Sequence, residues 1–442
     1  MRPVLGLACL LAACAATEPA GLDRVEEADW RFVEPPPSDR DANAAEIRTK
    51  PAWTLDAALQ LADVANPELA AERRNIDLAT AALWQAKLYP NPAFVYALEE
   101  WPPSRGLGDS KMAAGVSLPL VVSDRIDAAT RLAEADREIA AIEFLGRRRT
   151  LLSDVKRAFV RVLAAEAGLA LAEETRDLAR TLRETANERF VAQAVPEMEV
   201  LKATVSLARA EADLRVAQKE RATAHRALLG LVGATERGDV RLVGELRTEY
   251  PPVDLAEAQQ RMEESHPLLQ AAAKRKEAAQ RSLELERTKR WQDWDLDLLG
   301  GRSADAEFIL EAGVRIPLPL ADTNQAGIRS AEVRSVQADL ELDAARNDLL
   351  PRVGEAYEAF MTARDVVEIF RSAVLPQATK AIEQTREGYR VGKFEYLDLL
   401  DAQRTLAEAR VGYTTAVAEL NESAATLEEL TGMRFTTESE ED

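Results

Sequence analysis

Between residues 306 and 318 the chain alternates strictly, with Ala306, Phe308, Leu310, Ala312, Val314, Ile316 and Leu318 on one face and Glu307, Glu311 and Arg315 on the other. A period of two over that length predicts a β-strand long enough to cross a membrane within a barrel. Just upstream, Trp294, Leu296 and Leu298 alternate with Asp293, Asp295 and Asp297. The first half repeats the pair, with Phe94, Tyr96 and Leu98 in one segment and Met112, Ala114, Val116, Leu118 and Leu120 in the next. The expected strands are about 93–100, 111–120, 293–299 and 306–319. Any one of them alone is a weak signal that a soluble edge hairpin also fits; four in matched positions carry more weight.

Elsewhere the period is helical. Val155, Val162 and Leu169 recur every seven residues with Leu152 and Phe159 interleaved, and Val353, Phe360, Val367 and Val374 do the same with Tyr357. These are coiled-coil seams. No proline falls between Ser123 and Gln193, so a continuous helix there reaches on the order of 100 Å. Pro351 and Pro376 predict a kink or local opening in the second rod. The stretches "RFVAQAVPEMEVLKATVSLARAE" (189–211) and "GYRVGKFEYLDLLDAQRTLAEAR" (388–410) match at one constant offset, Phe190 on Tyr389, Leu201 on Leu400 and Ala203 on Ala402. Each holds a short break, at 193–196 and at Gly392, and so reads as the tip of a long helical hairpin, 123–230 in one half and 322–432 in the other. Asn66-Pro67 and His266-Pro267 are matching helix junctions with proline at a first helical position. No Cys, His or carboxylate cluster stands near His266 at ligand spacing, which makes it a junction residue rather than a metal ligand. The fold class is mostly α with a small β part, in two repeats (51–250 and 251–432) followed by an acidic tail, 433–442.

Composition narrows the function. The chain is rich in Ala, Leu, Arg and Glu with 5% aromatics, and its net charge of −20 leaves no basic excess for a nucleic-acid partner. Arg2 precedes a short apolar run, so residues 1–13 read as an export signal. Leu11-Ala12-Ala13-Cys14 resembles a bacterial lipoprotein cleavage box, which makes Cys14 a lipidated N-terminus and residues 14–50 a tether with a proline-rich stretch at 34–37. Ala15 replaces the Asp that favours inner-membrane retention, so delivery to the outer membrane is expected. Cys9 leaves with the signal, and no disulfide pair remains. No later segment is apolar for long enough to cross a bilayer as a helix, so membrane passage requires strands closed into a barrel. Four strands cannot close one; three copies supply twelve. No nucleophile elbow, phosphate loop, metal cluster or His-centred constellation points to an enzyme or a cofactor.

The doubled order of helices, strand pair and long hairpin, with the Tyr389-x-x-Gly392 tip and Leu397-Asp398-Leu399-Leu400-Asp401-Ala402-Gln403, resembles the TolC-like outer-membrane factor family over about residues 51–432. The resemblance implies a homotrimer with a twelve-stranded β-barrel in outer-membrane lipid and a periplasmic α-helical tunnel. It also implies two partners, a periplasmic adaptor (membrane fusion protein) and an inner-membrane RND-type pump. In that setting Asp398 and Asp401 occupy the periplasmic gate, where threefold symmetry makes acidic rings, and Tyr389, Gly392, Phe190 and Gln193 sit at adaptor-contacting tips. The first half has Glu199 and Lys202 at the gate positions, so the two hairpins are not equivalent. "IPLPLADTNQAGI" (316–328) resembles the metal-cation, CzcC-like branch, departing from it at Ala326 and at Thr323, where an Arg is usual. Heavy-metal efflux is therefore the preferred cargo, against drug efflux or type I secretion through the same fold. A lipid-tethered periplasmic coiled-coil scaffold explains the rods and leaves the alternating segments unexplained.

Overall fold

The computed structural model describes residues 39–99, 110–235, 238, 240–303, 305, 307–391 and 393–435. The signal segment, Cys14, most of the tether, Gly392 and residues 436–442 of the tail lie outside them. Contacts divide the chain after Glu46, and the unit from Ile47 on holds the sheet and the long helices.

After α1 (Asp39–Thr49) and β1 (Ala52–Trp53) come α2 (Leu55–Ala65), α3 (Pro67–Ala86), β2 (Ala93–Glu99), β3 (Lys111–Leu120), α4 (Arg125–Val191) and α5 (Glu197–Leu231). A short β4 (Arg241–Leu242) leads to α6 (Leu255–Ser265), α7 (Pro267–Thr288), β5 (Trp294–Arg302), β6 (Phe308–Arg315), α8 (Gln325–Ile369), α9 (Leu375–Arg390) and α10 (Tyr396–Thr431). The two matching Asn-Pro and His-Pro junctions are capped by side chains. Asn66 Oδ1 accepts from Leu69 N at 2.9 Å ahead of Pro67, and His266 Nδ1 accepts from Leu268 N at 3.2 Å ahead of Pro267. Both side chains satisfy donors that the first turn of a helix leaves orphaned. Asn66 also donates to Leu231 O at 2.8 Å and so closes the far end of α5.

Helix α4, 67 residues long, contacts α3, α5, α7 and α10. Its seam is buried at Val155, Phe159 and Val162, while the second seam is buried at Val353, Phe360 and Val367. Both fade toward the tips, where Leu169 and Val374 are only half-buried. One core cluster lies between α8 and α10, with Met262 of α6 among its members. There Phe360 stacks on Phe435 with ring centroids 5.5 Å apart, and Tyr250 meets Phe360 edge-on at 5.7 Å.

The second rod opens at one of its two prolines. Helix α8 passes through Pro351 without a break. Ahead of Pro376 the chain forms a π turn over Phe370–Val374, and Leu375 N–H reaches back to Phe370 O, a wider loop that accommodates a residue with no donor of its own.

The four longer strands form one antiparallel sheet in the order β2-β3-β5-β6, so strands of the two halves pair directly. Strand β6 stops at Arg315, short of the expected 319, because Pro317 and Pro319 cannot donate to a ladder. Strand β5 instead runs on to Arg302, three residues past the expected 299, through Gly300 and Gly301 paired to Leu310 and Ile309.

Candidate channel wall and helical tip

Registers across the sheet place Phe94, Tyr96 and Leu98 beside Val116, Ala114 and Met112, and these beside Leu298, Gly300 and Arg302. Strand β6 continues the row with Ala312, Leu310 and Phe308. One face is thus almost wholly apolar and points to solvent, Phe94 being 74% and Leu310 78% exposed. The opposite face carries charge. Lys111 Nζ bridges Glu99 at 3.0 Å and Glu311 at 2.6 Å, and Arg315 reaches Asp295 and Asp297 at 3.4 and 3.5 Å. On this charged face a Cβ at Gly115 would lie 1.9 Å from Leu298 O, and one at Gly301 would lie 2.0 Å from Met112 O. The two missing side chains let β3 and β5 press together on the polar side, as glycine does where a sheet bends.

At the foot of the sheet two clasps fix the helices. Arg125, the first residue of α4, holds Asp293 through both carboxylate oxygens, Nε–Oδ1 being 3.0 Å. Asn324 adopts the left-handed conformation (φ 57°) and donates to Glu286 O at 2.8 Å and Glu286 Oε2 at 2.7 Å. Gln325 Oε1 accepts from Thr323 N at 2.8 Å, and a Cβ at Gly327 would lie 2.3 Å from Asn324 Oδ1. The Asn-Gln-Ala-Gly step is therefore the corner that turns β6 into α8, and its residues are spent on backbone geometry.

At the other end the two hairpins share one closing hydrogen bond. Ala194 N donates to Arg189 O, and Lys393 N to Gly388 O, each at 2.8 Å. Gln193 takes the left-handed position (φ 58°) in the first turn; its counterpart Gly392 lies outside the described residues. Tyr389 packs under Arg189, whose guanidinium stands 4.9 Å from the ring centroid and donates to the Tyr389 hydroxyl. Tyr396, buried among Ala186 and Ala203 with Val200 and Leu400 alongside, follows at 6.1 Å. Burial first, then Tyr389 and Glu199, push the Tyr396 phenol up to about 12. Asp398 and Asp401 are both exposed. Asp398 accepts from Glu395 N at 2.9 Å and completes a capping box for α10. Its counterpart Glu199 has no such duty, since the cap of α5 is Pro196, which lacks an N–H; Glu199 Oε2 and the Tyr396 hydroxyl are buried without hydrogen-bond partners.

The structure thus brings Tyr389 into a cross-tip cluster and leaves Phe190, Asp398 and Asp401 at the surface, while Cys14 lies outside the described residues. Sequence reasoning missed Arg189 and Tyr396. The signal available was position alone, since each flanks a matched tip turn. Above the tip a groove of about 1220 Å³ lies among α4, α5 and α10, lined by Leu178, Leu201, Val205, Leu397 and Val411. Among the described residues no three His, Cys, Asp or Glu side chains gather as a metal site, and no helix is long and apolar enough to cross a membrane.

The family model described as "outer membrane efflux protein" matches twice, over residues 58–234 and 258–433. The cobalt-zinc-cadmium resistance protein CzcC of Cupriavidus metallidurans is 30% identical over 380 residues, 86% of this chain and 90% of that protein. Among solved structures, CusC aligns with a TM-score of 0.70 at 17% identity, covering 85% of this chain and 91% of its own. The open state of the MtrE outer membrane channel of Neisseria gonorrhoeae gives 0.70 at 19% identity, covering 86% and 88%.

Proposed function

The chain belongs to the outer membrane efflux protein family, and from that premise we propose that three copies form the exit duct of a tripartite efflux system. One observation carries the reading: a single four-stranded sheet, apolar on one face and charged on the other, whose two outer edges are open. Open edges cannot face lipid, and three such sheets joined edge to edge supply the twelve strands of a small outer-membrane barrel. The charged face then lines water, and the hairpins of α4–α5 and α8–α10 extend the duct into the periplasm. A periplasmic adaptor meets the tips, with Phe190, Gln193, Tyr389 and the turn at Gly392 as its contacts, and an inner-membrane RND-type pump supplies the energy. The recurring order of elements supports an internal duplication, each half giving one hairpin to the mouth. Cys14 carries lipid and aids targeting; an unlipidated mature N-terminus found by mass spectrometry would remove that part.

The preferred cargo is a heavy-metal cation. Its support is the similarity to a protein named for cobalt, zinc and cadmium resistance, and the duct conducts what the pump selects. The corner at Asn324 and Gly327 adds nothing to this choice, because its side chains serve a turn. Drug efflux or type I secretion remains the alternative for the same duct.

The gate provides the test. Asp398 and Asp401 lie one helical turn apart on α10 and are exposed, so a threefold axis beside them crowds six carboxylates and concentrates cations. In planar bilayers the native trimer is expected to prefer cations and to be blocked by divalent ions from the periplasmic side. Asp398→Asn with Asp401→Asn keeps an acceptor for the α10 cap and should lose the block. A double variant blocked like the native trimer would show that these residues do not line the gate.

A further inference from the structure

The seam between copies can be derived from the seam inside one chain, an inference that rests on the proposed ring of copies. Strands β3 and β5 belong to different halves, yet they pair from Met112↔Arg302 to Leu120↔Trp294. Strand β6 repeats β3, since "GVSLPL" (115–120) matches "GVRIPL" (313–318) and sets Val116 on Val314 and Arg125 on Thr323. Strand β2 repeats β5. Helix α7 has 22 residues where α3 has 20, and their caps are Lys289 and Lys87, so beyond the helices Tyr89 falls on Trp291, Asn91 on Asp293 and Tyr96 on Leu298. The hairpin ladders agree independently, because Phe94 pairs with Val116 in one half and Leu296 with Val314 in the other.

Strands β2 and β6 are the open edges. We propose that β6 of one copy pairs with β2 of the next in the register that β3 and β5 already have. The contact Val116↔Leu298 then becomes Val314 opposite Tyr96 of the neighbouring copy, and Ala114↔Gly300 becomes Ala312 opposite Leu98. The apolar side chains of both edges stay on one face, as a continuous lipid-facing wall requires.

Equal register does not mean equal chemistry. Inside the chain the foot of the joint is clasped by Arg125 on Asp293, while its other end holds Ala113 against Gly301. Between copies the foot carries the neutral pair Thr323 and Asn91, and the other end sets Glu311 against Glu99. Like charges directly opposite weaken a strand pair. Lys111 sits across from Glu99 on β3 and within its own chain binds both Glu99 and Glu311, one on each open edge, so each carboxylate that meets at a seam brings an ammonium from its own copy. Its ammonium is the counter-charge that lets this seam close.

The test uses paired cysteines in the full-length chain, with a thiol cross-linker matched to the roughly 5 Å between directly opposite Cβ atoms. Val314→Cys with Tyr96→Cys is expected to give covalent dimers and trimers on denaturing gels, and either single variant alone should not. Stronger linking from Val314→Cys with Phe94→Cys, or with Leu98→Cys, overturns the register while leaving the ring in place, as does a trimer that no pair links. A chain that links nowhere and elutes as a single copy sinks the ring reading itself. For the counter-charge, Lys111→Met should lower the temperature at which the unheated trimer dissociates, and adding Glu311→Gln should restore part of the loss. Absence of that rescue overturns the role of Lys111.

Discussion

The first hairpin descends through one unbroken helix, whereas the second reaches its tip through Pro351, a π turn and Pro376. The joint in the second is braced from outside. Arg371 reaches Glu249 at 2.6 Å and Glu368 at 2.7 Å, and the Phe370 ring fills the place of a side chain at Gly412, where a Cβ would lie 2.7 Å from it. Its tip differs as well: Tyr389 engages Arg189 while Phe190 stays at the surface, and Asp398 caps a helix while Glu199 cannot. Twice-used sequence thus gives one stiff copy and one jointed copy, and the polar contacts of the tip gather on the jointed one.

The largest test of that contrast lies in the core. Phe360→Ala empties a fully buried site and should cost about 3–5 kcal/mol, whereas Val162→Ala at the matching place in α4 should cost ~2 kcal/mol for two buried carbons. Equal losses in denaturant titrations would show that the two seams carry the same load. Next comes the tip. A guanidinium over an aromatic face contributes on the order of 1 kcal/mol, so Arg189→Ala should speed hydrogen exchange in the first turns of α10 by about fivefold. Phe190→Ala should leave that exchange unchanged, and a matching acceleration would place both tips on an equal footing. The smallest effect is a pH dependence. Burial, then Arg149 and Arg352, lower the His266 imidazole from 6.5 to about 4. The unfolded chain therefore binds the proton more readily, and this contribution, fully present above pH 6.5, is lost as pH falls toward 4. His266→Asn, copying the neutral cap Asn66, should flatten the melting temperature over that window; an unchanged slope would place the titration elsewhere.

Much of this was legible because it is local. Alternation at 306–318 and at 111–120 follows from side chains pointing to opposite faces of a strand, and the seams at Val155 and Phe360 follow from helical spacing. The joining of β3 to β5 was not legible, since residues far apart in sequence meet there with no periodic signature. The same holds for the Arg189–Tyr389 contact, which needs both tips at one height. Pro351 and Pro376 looked alike as helix breakers. Only the second produced an opening, next to a ring that must clear Gly412. The acidic pair at 398 and 401 announced one shared face but not that one of them would be engaged in a cap.

Helix α4 is 67 residues without interruption, and such a rod makes spacing discontinuous. Deleting one residue draws everything beyond it about 1.5 Å closer and turns it by about 100°, which would swing Arg189 off Tyr389. Deleting seven restores the facing to within about 20°, with the tip about 10 Å nearer the sheet. Because α5, the α8–α9 rod taken as one and α10 must shorten in step with α4 to keep both turns level, the reach of this molecule can change only in quanta of paired helical turns, and four strokes of the same size must fall together.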